Sequence, residues 1–334
     1  MTEYIIRRIL WFIPVILSVG LITFGIARIT PGGPFDTDPN RRQLPPATEK
    51  VLRAKFGMDL PFWRQFTRYM LFDIEIDPKT KQQKIVWGAI GGNLGPTYQS
   101  RGSQTVQDYL FKSTSGKPSR FQYSARLGLQ ALGFALMIGI PLGVIAALNQ
   151  NTWIDYILLF ISTSFVAVPT LISGMLLLLV FAVQLKWFSI IPKWDDPIKP
   201  WILPTLTLGM GILAFVARLA RNSVLEVMRM DYIRTARAKG LGDFLVNSRH
   251  ILRNALLPIV TILGPLFAGL LTGSLFVETI FQVPGMGTTI LTALGRRDYS
   301  MIMGTTLLYT FMLVVGNLVV DLLYGVVDPR IRVK

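Results

Sequence analysis

The sequence contains 334 residues, of which 51% are hydrophobic and 16% are charged, and its formal net charge is +15. Soluble domains carry about 25% charged residues, so the low charge content and the long apolar runs predict a polytopic membrane protein. Cysteine is absent and His250 is the single histidine, which excludes disulfides and thiol catalysis and argues against histidine-based metal sites and triads. The basic residues lie in loops beside apolar runs, which favours contact with the membrane surface over nucleic-acid binding.

The apolar runs predict an all-α chain with six transmembrane helices. The first run is about 20 residues long, too long for the core of a signal peptide and sufficient to span a bilayer, so no cleavable signal peptide is predicted. In chain order, the predicted spans are Ile9–Ile29, Leu127–Leu148, Ile154–Leu185, Ile202–Leu219, Ala255–Phe276 and Ile302–Val327.

The distribution of basic residues predicts which side of the membrane each loop faces. With six spans, the N-terminus, the loop between the fourth and fifth spans and the C-terminal tail lie on one side, and all three are basic, so that side is cytoplasmic. We therefore predict residues 1–30 as N-terminal tail and first span, 31–126 as an extracytoplasmic segment, and 127–334 as spans two to six with a cytoplasmic loop at about 220–254. The segment 31–126 is basic too, but long loops translocate largely regardless of charge. The cytoplasmic cations are Arg7, Arg8, Arg221, Arg229, Arg234, Arg237, Lys239, Arg249, Arg253, Arg330, Arg332 and Lys334.

The segment 31–126 shows patterns of local structure. Residues 44–70 predict two short helices separated at Gly57–Pro61, with Thr48 capping the first and Pro61 in the first turn of the second. Aromatic residues at helical spacing are expected to pack on the membrane surface or on a neighbouring element. They are Phe62, Trp63, Phe66 and Tyr69. The stretch Ile74–Ile90 predicts a β-hairpin with its turn near Asp77–Lys81.

No catalytic or nucleotide-binding motif stands out. The stretch Ser115–Pro118 contains Gly-Lys, but it lacks the upstream glycine and the following Ser/Thr of a phosphate-binding loop. Ionisable residues are scarce in the spans: Arg126 and Asp155 fall at span edges, Glu278 follows the fifth span on the outer side, and Asp321 lies late in the sixth. Ion-driven transporters place carboxylates near mid-membrane. We therefore predict that the energy for any transport enters from outside the bilayer and that the chain is not itself an enzyme.

Small residues and prolines recur inside the spans. The pairs Gly139/Gly143 and Gly269/Gly273 have GxxxG spacing, which favours close helix packing over a role in lining a pathway. Prolines in membrane helices favour kinks, and a hinge role stays open. They are Pro14, Pro141, Pro169, Pro204, Pro258 and Pro265.

The loop between the fourth and fifth spans is polar, basic and helix-forming. We expect a helix with Asp231 as N-cap that stops at Gly240, followed by a second helix capped by Asp243. The small side chains of Ala236 and Ala238 allow close approach to a partner groove, where neighbouring arginines suit carboxylates. The alternative is a cationic helix on anionic lipid headgroups, although this helix lacks the Trp, Phe or Leu face of an interfacial anchor.

Several motifs together resemble a known family over nearly the whole chain. Residues 234–241 (RTARAKGL) and 249–258 (RHILRNALLP) resemble the EAA loop of ABC importer permeases, in the form used by the oligopeptide/dipeptide group. The other matching motifs are Arg7-Arg8, Pro31–Pro34, Phe56–Pro61, Val277–Phe281, Pro284–Gly287, Arg297–Tyr299, Asn317–Asp321 and Asp328–Arg332. They are similar to the first of the two permease subunits of that group.

This resemblance implies a type I ABC importer permease fold and a division of labour among subunits. A second homologous permease would form a heterodimer with this chain, two cytoplasmic ATPases would hold ATP and Mg²⁺, and an extracytoplasmic solute-binding protein would deliver a peptide. The chain itself would bind no cofactor and no nucleic acid. It would form half of the translocation pathway in a bacterial or archaeal cytoplasmic membrane, with both termini cytoplasmic.

The resemblance also implies a coupling helix that docks on an ATPase. The implied coupling residues are Arg234, Thr235, Ala236, Arg237, Ala238, Lys239, Gly240 and Leu241. Closure of the ATPases on ATP would move this helix and rock the spans between inward-open and outward-open states. Two departures from the generic EAA pattern appear. Arg234 stands where a Glu is usual, so the generic Glu contact is not assumed, and Leu257-Pro258 lies later, as in the peptide-group variant. The stretch around 73–90 looks like an insertion with an open role.

Other interpretations remain at this point. The same fold imports nickel, glutathione or oligosaccharides in related proteins, and the sequence does not separate these substrates. A secondary transporter working alone is a second class, against which the scarcity of mid-membrane carboxylates speaks. A structural or signalling membrane protein with a basic surface helix is a third. Genes for ATPases and a binding protein beside this one would favour the importer, and uptake that persists after loss of the ATPases would favour the secondary transporter.

Overall fold

A computed structural model of the chain describes residues 2–30, 45–76, 83–113 and 116–327. Most of these residues are helical, and β1 (Phe72–Ile76) and β2 (Gln83–Trp87) form one hairpin. The first helices are α1 Thr2–Ile29, α2 Pro46–Lys55, α3 Phe62–Met70, α4 Val106–Phe111, α5 Arg120–Leu148, α6 Trp153–Ala167, α7 Thr170–Leu177 and α8 Lys199–Met228. They are followed by α9 Asp231–Ala238, α10 Asp243–Leu245, α11 Arg253–Ala255, α12 Leu257–Leu271, α13 Leu275–Ile280, α14 Met286–Gly295 and α15 Tyr299–Val327. A 3-10 turn covers Ala89–Gly91, and π-helical turns cover Leu178–Gln184 and Val246–Leu252.

The chain divides into two compact units. One contains residues 2–123 and 285–311, and the other contains residues 124–284 and the chain from 312 onward. The division predicted from the sequence, at residues 30 and 126, follows the order of membrane spans rather than packing, and it stays a prediction.

Five helical stretches of the described chain are long and apolar enough to cross a membrane, one of them formed by α12 and α13 together, and a sixth span results if the bent pair of α6 and α7 is taken as one. The helices are longer than the predicted spans: α8, for example, covers Lys199–Met228 where Ile202–Leu219 was predicted. Hydropathy detects only the apolar part of a helix, whereas backbone hydrogen bonding continues into its polar ends. The all-α, multi-pass prediction is confirmed for the described part of the chain.

The third span is not the continuous helix predicted over Ile154–Leu185. The α6 and α7 helices, the latter extended by its π-helical turn, meet at an angle of 100°. Val168 has extended backbone angles (φ −86°, ψ 119°), and Pro169 follows it. A proline disfavours the helical conformation of the residue before it and offers no N–H to the preceding turn, so this proline breaks the span.

The fifth span predicted over Ala255–Phe276 corresponds to one candidate span over Leu257–Ile280, and within it lies a helix boundary that was not predicted. The α12 helix ends at Leu271, and Gly273 follows with φ +96°. Ser274 then caps α13, with its hydroxyl accepting a hydrogen bond from the Val277 backbone N–H at 3.4 Å. A left-handed glycine followed by a serine cap ends one helix and begins another, a boundary that an apolar run conceals.

Close helix packing is confirmed for one of the two GxxxG pairs. A Cβ added to Gly143 would lie 2.3 Å from the Ala217 carbonyl oxygen, and one added to Gly139 would lie 2.9 Å from that of Leu213. Backbones of α5 and α8 therefore approach at both glycines. Gly269 has nothing within 4 Å of an added Cβ, so this member of the second pair makes no such approach within the described chain.

In the unit of residues 2–123 and 285–311, α1, α3 and α15 share an apolar cluster. Its buried members are Phe24, Phe66, Met70, Met303 and Leu307. The ring of Phe66 packs edge-to-face on that of Phe24, with centroids 5.7 Å apart. The predicted aromatic face of α3 thus packs on a neighbouring helix at Phe66, while Trp63 is exposed.

The predicted hairpin is confirmed, with Phe72 opposite Trp87 and Ile74 opposite Ile85 in an antiparallel register. Its turn at 77–81 lies outside the described residues, as do the motifs at 31–34 and 328–332 and the basic C-terminal tail. The prediction for Thr48 was wrong, because α2 begins at Pro46 and has Pro45 as N-cap without a side-chain cap. Pro61 is the N-cap of α3, one position before the predicted first turn. Proline's fixed φ suits a helix start without any hydroxyl.

Candidate functional site

The predicted coupling segment forms α9, directly after α8, within the unit of residues 124–284. Its N-cap is Met230, in an extended conformation with ψ 143°, so Asp231 is the first helical residue and not the cap. Asp243 is likewise the first residue of α10, after the N-cap Gly242. Both cap predictions were wrong by one position. Neither N-cap contributes a side-chain hydrogen bond. The carboxylates of Asp231 and Asp243, at the first helical position, interact favourably with the positive end of the helix dipole.

The predicted end of α9 at Gly240 is confirmed. The Gly240 N–H donates to the Arg237 carbonyl at 2.9 Å, and the Leu241 N–H donates to the Ala236 carbonyl at 3.4 Å. Gly240 has φ +78°. This pair of bonds around a left-handed glycine is a Schellman motif, and it sets the direction in which the chain leaves α9.

The inner face of α9 is anchored in an apolar cluster of its own unit. Ile233 and Ala236 are buried there. The other buried members come from α5, α8, the π-helical turn after α10, and α11: they are Ala147, Val224, Val246, Ile251 and Ala255. Asn254 also donates a hydrogen bond to the Tyr232 hydroxyl at 3.0 Å. The cluster joins α9 to the ends of two long apolar helices.

The outer face of α9 is exposed and cationic. The Arg234 side chain is 78% exposed, and its 3.8 Å ion pair with Asp231 is a surface pair that contributes little to stability. Thr235, Ala238 and Lys239 are exposed as well. The Ala236 methyl group faces the apolar cluster of its own chain, so of the two small residues only Ala238 is exposed, and the predicted close approach to a partner stays a prediction.

One contact and one exposed side chain of this loop were missed by the sequence analysis. Arg237 lies across the turn from Asp243, with an Nε–Oδ1 distance of 3.8 Å. Phe244 is 85% exposed. The aromatic residues of this polar loop, Tyr232 and Phe244, are too far apart to give a periodic signal, so only the structure shows that the Phe244 ring is left outside the core. The exposed surface of the loop therefore combines cations with one large apolar ring.

A buried ion pair lies between α6 and α8, ten residues before α9. Arg221 donates to both carboxylate oxygens of Asp155, with Nε–Oδ1 at 2.6 Å and Nη2–Oδ2 at 2.7 Å. The Asn151 backbone N–H adds a third bond at 3.1 Å. The side chain of Asp155 is 1% exposed and that of Arg221 is 16% exposed. The sequence placed Asp155 at a span edge and Arg221 among the loop cations without pairing them.

The other ionisable groups assigned to span edges are held by the protein as well. Glu278 was expected after the fifth span on the outer side; it lies in α13, fully buried, and accepts a 2.7 Å hydrogen bond from the Ser124 hydroxyl. Arg126 lies 4.3 Å from the centroid of the Trp201 ring and donates to the Pro197 carbonyl. Among the described residues, no group of three or more His, Cys, Asp or Glu side chains is placed to hold a metal ion.

Comparison with known proteins identifies the class. Residues 139–333 match the family described as binding-protein-dependent transport system inner membrane component. The chain belongs to this family. This family match, together with the membrane spans and the relatives of similar length, makes the chain a multi-pass permease subunit of an ABC importer. It is not the catalytic subunit of that system.

Individual relatives match over almost their whole length. The dipeptide transport system permease protein DppB of Bacillus subtilis (strain 168) is 37% identical over 332 residues, covering 99% of this chain and 98% of that protein. The oligopeptide transport system permease protein OppB of Haemophilus influenzae is 34% identical, covering 99% and 100%. Among solved structures, the MetNI methionine ABC transporter in inward-facing conformations aligns with a TM-score of 0.46 at 18% identity, covering 63% of this chain and 94% of that chain.

Proposed function

We propose that this chain is one of two membrane-spanning permease subunits of an ATP-driven importer of peptides. Full-length relatives at 34–37% identity carry the names of dipeptide and oligopeptide permeases, which supports this substrate class. A second homologous permease, two cytoplasmic ATPases that bind ATP and Mg²⁺, and an extracytoplasmic solute-binding protein complete the assembly. This chain contributes half of the pathway and binds no cofactor.

The geometry of α9 carries the proposed coupling role of residues 234–241. Its outer face is exposed and cationic, while Ile233 and Ala236 on its inner face are buried against α5 and α8. A force applied to the outer face moves the buried face with it, because packed apolar side chains resist separation. Closure of the ATPases on ATP thereby becomes a displacement of the long helices. The exposed ring of Phe244 adds an apolar contact of the kind that anchors protein interfaces.

The proposed orientation places α9 and both termini in the cytoplasm of a bacterial or archaeal cell. Support comes from the positive-inside rule applied to the short loops. Arg229, Arg234 and Lys239 lie on the described loop that α9 belongs to. The segment between α1 and α5 then faces the outside, where the solute-binding protein delivers its peptide.

Reconstitution tests the proposed function directly. The permease pair, the ATPases and the binding protein are placed in proteoliposomes with ATP inside, and uptake of radiolabelled dipeptides and pentapeptides is measured. We expect uptake that requires ATP and the binding protein and that is insensitive to ionophores. Uptake by the permeases alone, driven by a proton or sodium gradient, would establish a secondary transporter instead.

Reversing the charge of Arg237 is expected to weaken assembly with the ATPases. The Arg237→Glu variant places a carboxylate opposite the carboxylates that we propose the ATPase presents. It also places this carboxylate near Asp243, whose Oδ1 lies 3.8 Å from the Arg237 Nε in the wild type. We expect the ATPase subunits to bind about tenfold more weakly, which corresponds to about 1.4 kcal/mol. Co-purification from detergent, quantified against the permease, measures the effect.

A double variant separates the partner contact from the local one. Arg237→Glu with Asp243→Arg restores an intrachain pair across the turn but leaves the reversed charge towards the ATPase. We expect co-purification to stay low in this variant. Recovery to the wild-type yield would assign the loss to the intrachain pair, and a normal yield in Arg237→Glu alone would contradict the docking role.

A further inference from the structure

The hairpin of β1 and β2, whose role the sequence left open, has an exposed apolar face. In its antiparallel register Phe72 lies opposite Trp87, and Ile74 lies opposite Ile85. Because alternate residues of a strand point to opposite faces, these four side chains share one face. They are between 47% and 58% exposed, and the Phe72 and Trp87 rings meet edge-to-face with centroids 6.1 Å apart. A contiguous exposed apolar face marks a site of contact with a partner or a membrane.

The base of the hairpin is held by α3. Arg68 of α3 pairs with Asp73 of β1 at 3.1 Å. The Gly88 N–H, just after β2, donates to the Leu71 carbonyl at 2.8 Å. A Cβ added to Gly88 would lie 2.4 Å from the Tyr69 carbonyl oxygen, so the two backbones are in contact. An isolated two-stranded hairpin is only marginally stable in water, and these contacts fix its position on the rest of the unit of residues 2–123 and 285–311.

The hairpin lies beside the last turns of α1. Phe24 and Arg28 of α1 line one cavity together with Val86 and Trp87 of β2. Phe24 is about 7.5 Å along the helix axis from the end of α1 at Ile29, and a candidate membrane span ends at the same residue. Arg28 occupies the last turn of α1, where a long cationic side chain reaches the polar headgroups. The base of the hairpin is therefore at the depth of the boundary between lipid and water.

A second exposed tryptophan marks the same depth. Trp63 of α3 is 65% exposed, and its ring meets that of Phe62 with centroids 5.2 Å apart. The Phe62 ring in turn lies 5.1 Å from that of Phe24. On α1 itself, Ile26 is 62% exposed, so the span stays apolar on its outside into its last turns. Tryptophan is enriched at the boundary between lipid and water because its ring is apolar and its N–H is polar, and Trp63 and Trp87 both lie there.

The second apolar pair of the hairpin stays close to this boundary. Ile74 and Ile85 are two residues further along their strands than Phe72 and Trp87, which is at most about 7 Å. The headgroup layer of one leaflet is about 5–7 Å thick. Both apolar pairs therefore lie at a depth where a surface that the described chain leaves uncovered meets the bilayer and not bulk water.

We propose that the β1–β2 hairpin is a membrane-surface anchor, whose apolar face of Phe72, Ile74, Ile85 and Trp87 lies in the interfacial layer of the bilayer where α1 ends. The partner is the phospholipid surface, and the apolar contact selects no particular headgroup. Burial of this face removes apolar surface from water and holds the segment between α1 and α5 at the membrane. The anchor depends on α1 crossing the membrane and not on which solute is imported.

Spin-label accessibility of the full chain in phosphatidylcholine nanodiscs tests the proposal. Because the sequence has no cysteine, each of the variants Ile74→Cys and Ile85→Cys carries a single nitroxide. The lipid-facing reference is Ile26→Cys, and the water-facing reference is Gln104→Cys, an exposed residue of the same unit. We expect the ratio of oxygen to nickel-chelate accessibility at both hairpin labels to match that at Ile26 and to exceed that at Gln104 about threefold, because oxygen concentrates in apolar lipid and the polar chelate stays in water.

A charge placed on the apolar face gives a second measurement. Ile74→Asp, directly opposite the label of Ile85→Cys, should move that label into water and raise its nickel-chelate accessibility, because a carboxylate is costly in an apolar layer. The matched control Gln104→Asp should leave the Ile85 label unchanged. A label that does not respond to Ile74→Asp would contradict the anchor.

Two other outcomes of the accessibility measurement would overturn the proposal. High nickel-chelate accessibility at both Ile74 and Ile85 would show that the face lies in water. Low accessibility to oxygen and to the chelate alike would show that protein covers the face, either this chain or a second copy of it.

Discussion

Replacing Gly240 with valine is expected to lower ATP-driven uptake at least tenfold while the chain still inserts and assembles. Gly240 has φ +78°, and nothing lies within 4 Å of the position of an added Cβ. The cost is therefore backbone strain, about 1–2 kcal/mol for an ordinary residue in the left-handed region and more for a β-branched one. The chain relieves this strain by abandoning the Schellman turn, and α9 then loses its fixed direction relative to α8.

The measurement is the ratio of peptide transported to ATP hydrolysed in proteoliposomes. We expect basal ATP hydrolysis to continue and its stimulation by substrate to disappear. Gly242→Val is the matched control, since Gly242 is also open around its Cβ but has φ −61° and ψ 147°, which valine adopts without strain. Substrate-stimulated hydrolysis at the wild-type level in Gly240→Val would show that the turn is not needed for coupling.

Breaking the ion pair between Asp155 and Arg221 is expected to have the largest effect on stability. Asp155→Asn keeps the size of the side chain but leaves the Arg221 guanidinium without its counter-charge in a largely buried position. Removing one partner of a buried pair costs 3–5 kcal/mol in soluble proteins, and we expect about 3 kcal/mol here because Arg221 is partly exposed. The Tm of the purified chain should fall, and the fall should persist at high salt because a buried pair is poorly screened.

The double variant Asp155→Leu with Arg221→Met tests whether the charge or the packing matters. It removes both charges and keeps apolar volume between α6 and α8, so we expect it to recover most of the lost stability. If Asp155→Asn unfolds at the wild-type temperature, the pair contributes no net stability. If the double variant is as unstable as the single one, the loss comes from packing and not from an unpaired charge.

Much of the fold could be predicted because it depends on neighbouring residues in the chain. Apolar runs predicted the membrane helices, the stretch Ile74–Ile90 predicted the hairpin of β1 and β2, and Gly240 predicted the end of α9. Errors arose at helix N-termini, where more than one nearby residue could serve as the N-cap. Capping side chains were expected at Thr48, Asp231 and Asp243. The observed N-caps lie earlier in the chain, at Pro45, Met230 and Gly242. Hydropathy also averaged over Pro169, where the third span bends by 100°, and over Gly273, which separates α12 from α13 inside the fifth span.

The helix of the loop that we propose for coupling was predicted, but only part of its packing was. The motif predicted a short helix that ends at Gly240, but it could not show that Ala236 faces inward while Phe244 faces solvent. Which side of α9 is buried depends on α5 and α8 packing beneath it. That packing rests on Gly139 and Gly143, which let the two backbones approach.

Hydropathy and local motifs thus determine the membrane class, the order of the helices and the place of the loop that we propose for coupling, because each pattern extends over one or two helical turns. Only the tertiary structure pairs Asp155 with Arg221, across 66 positions of sequence, or buries Glu278 against Ser124. It also places the β1–β2 hairpin beside the last turns of α1. Charges and hydrogen bonds act over a few ångströms of space, and distance along the chain carries no information about which helices will meet.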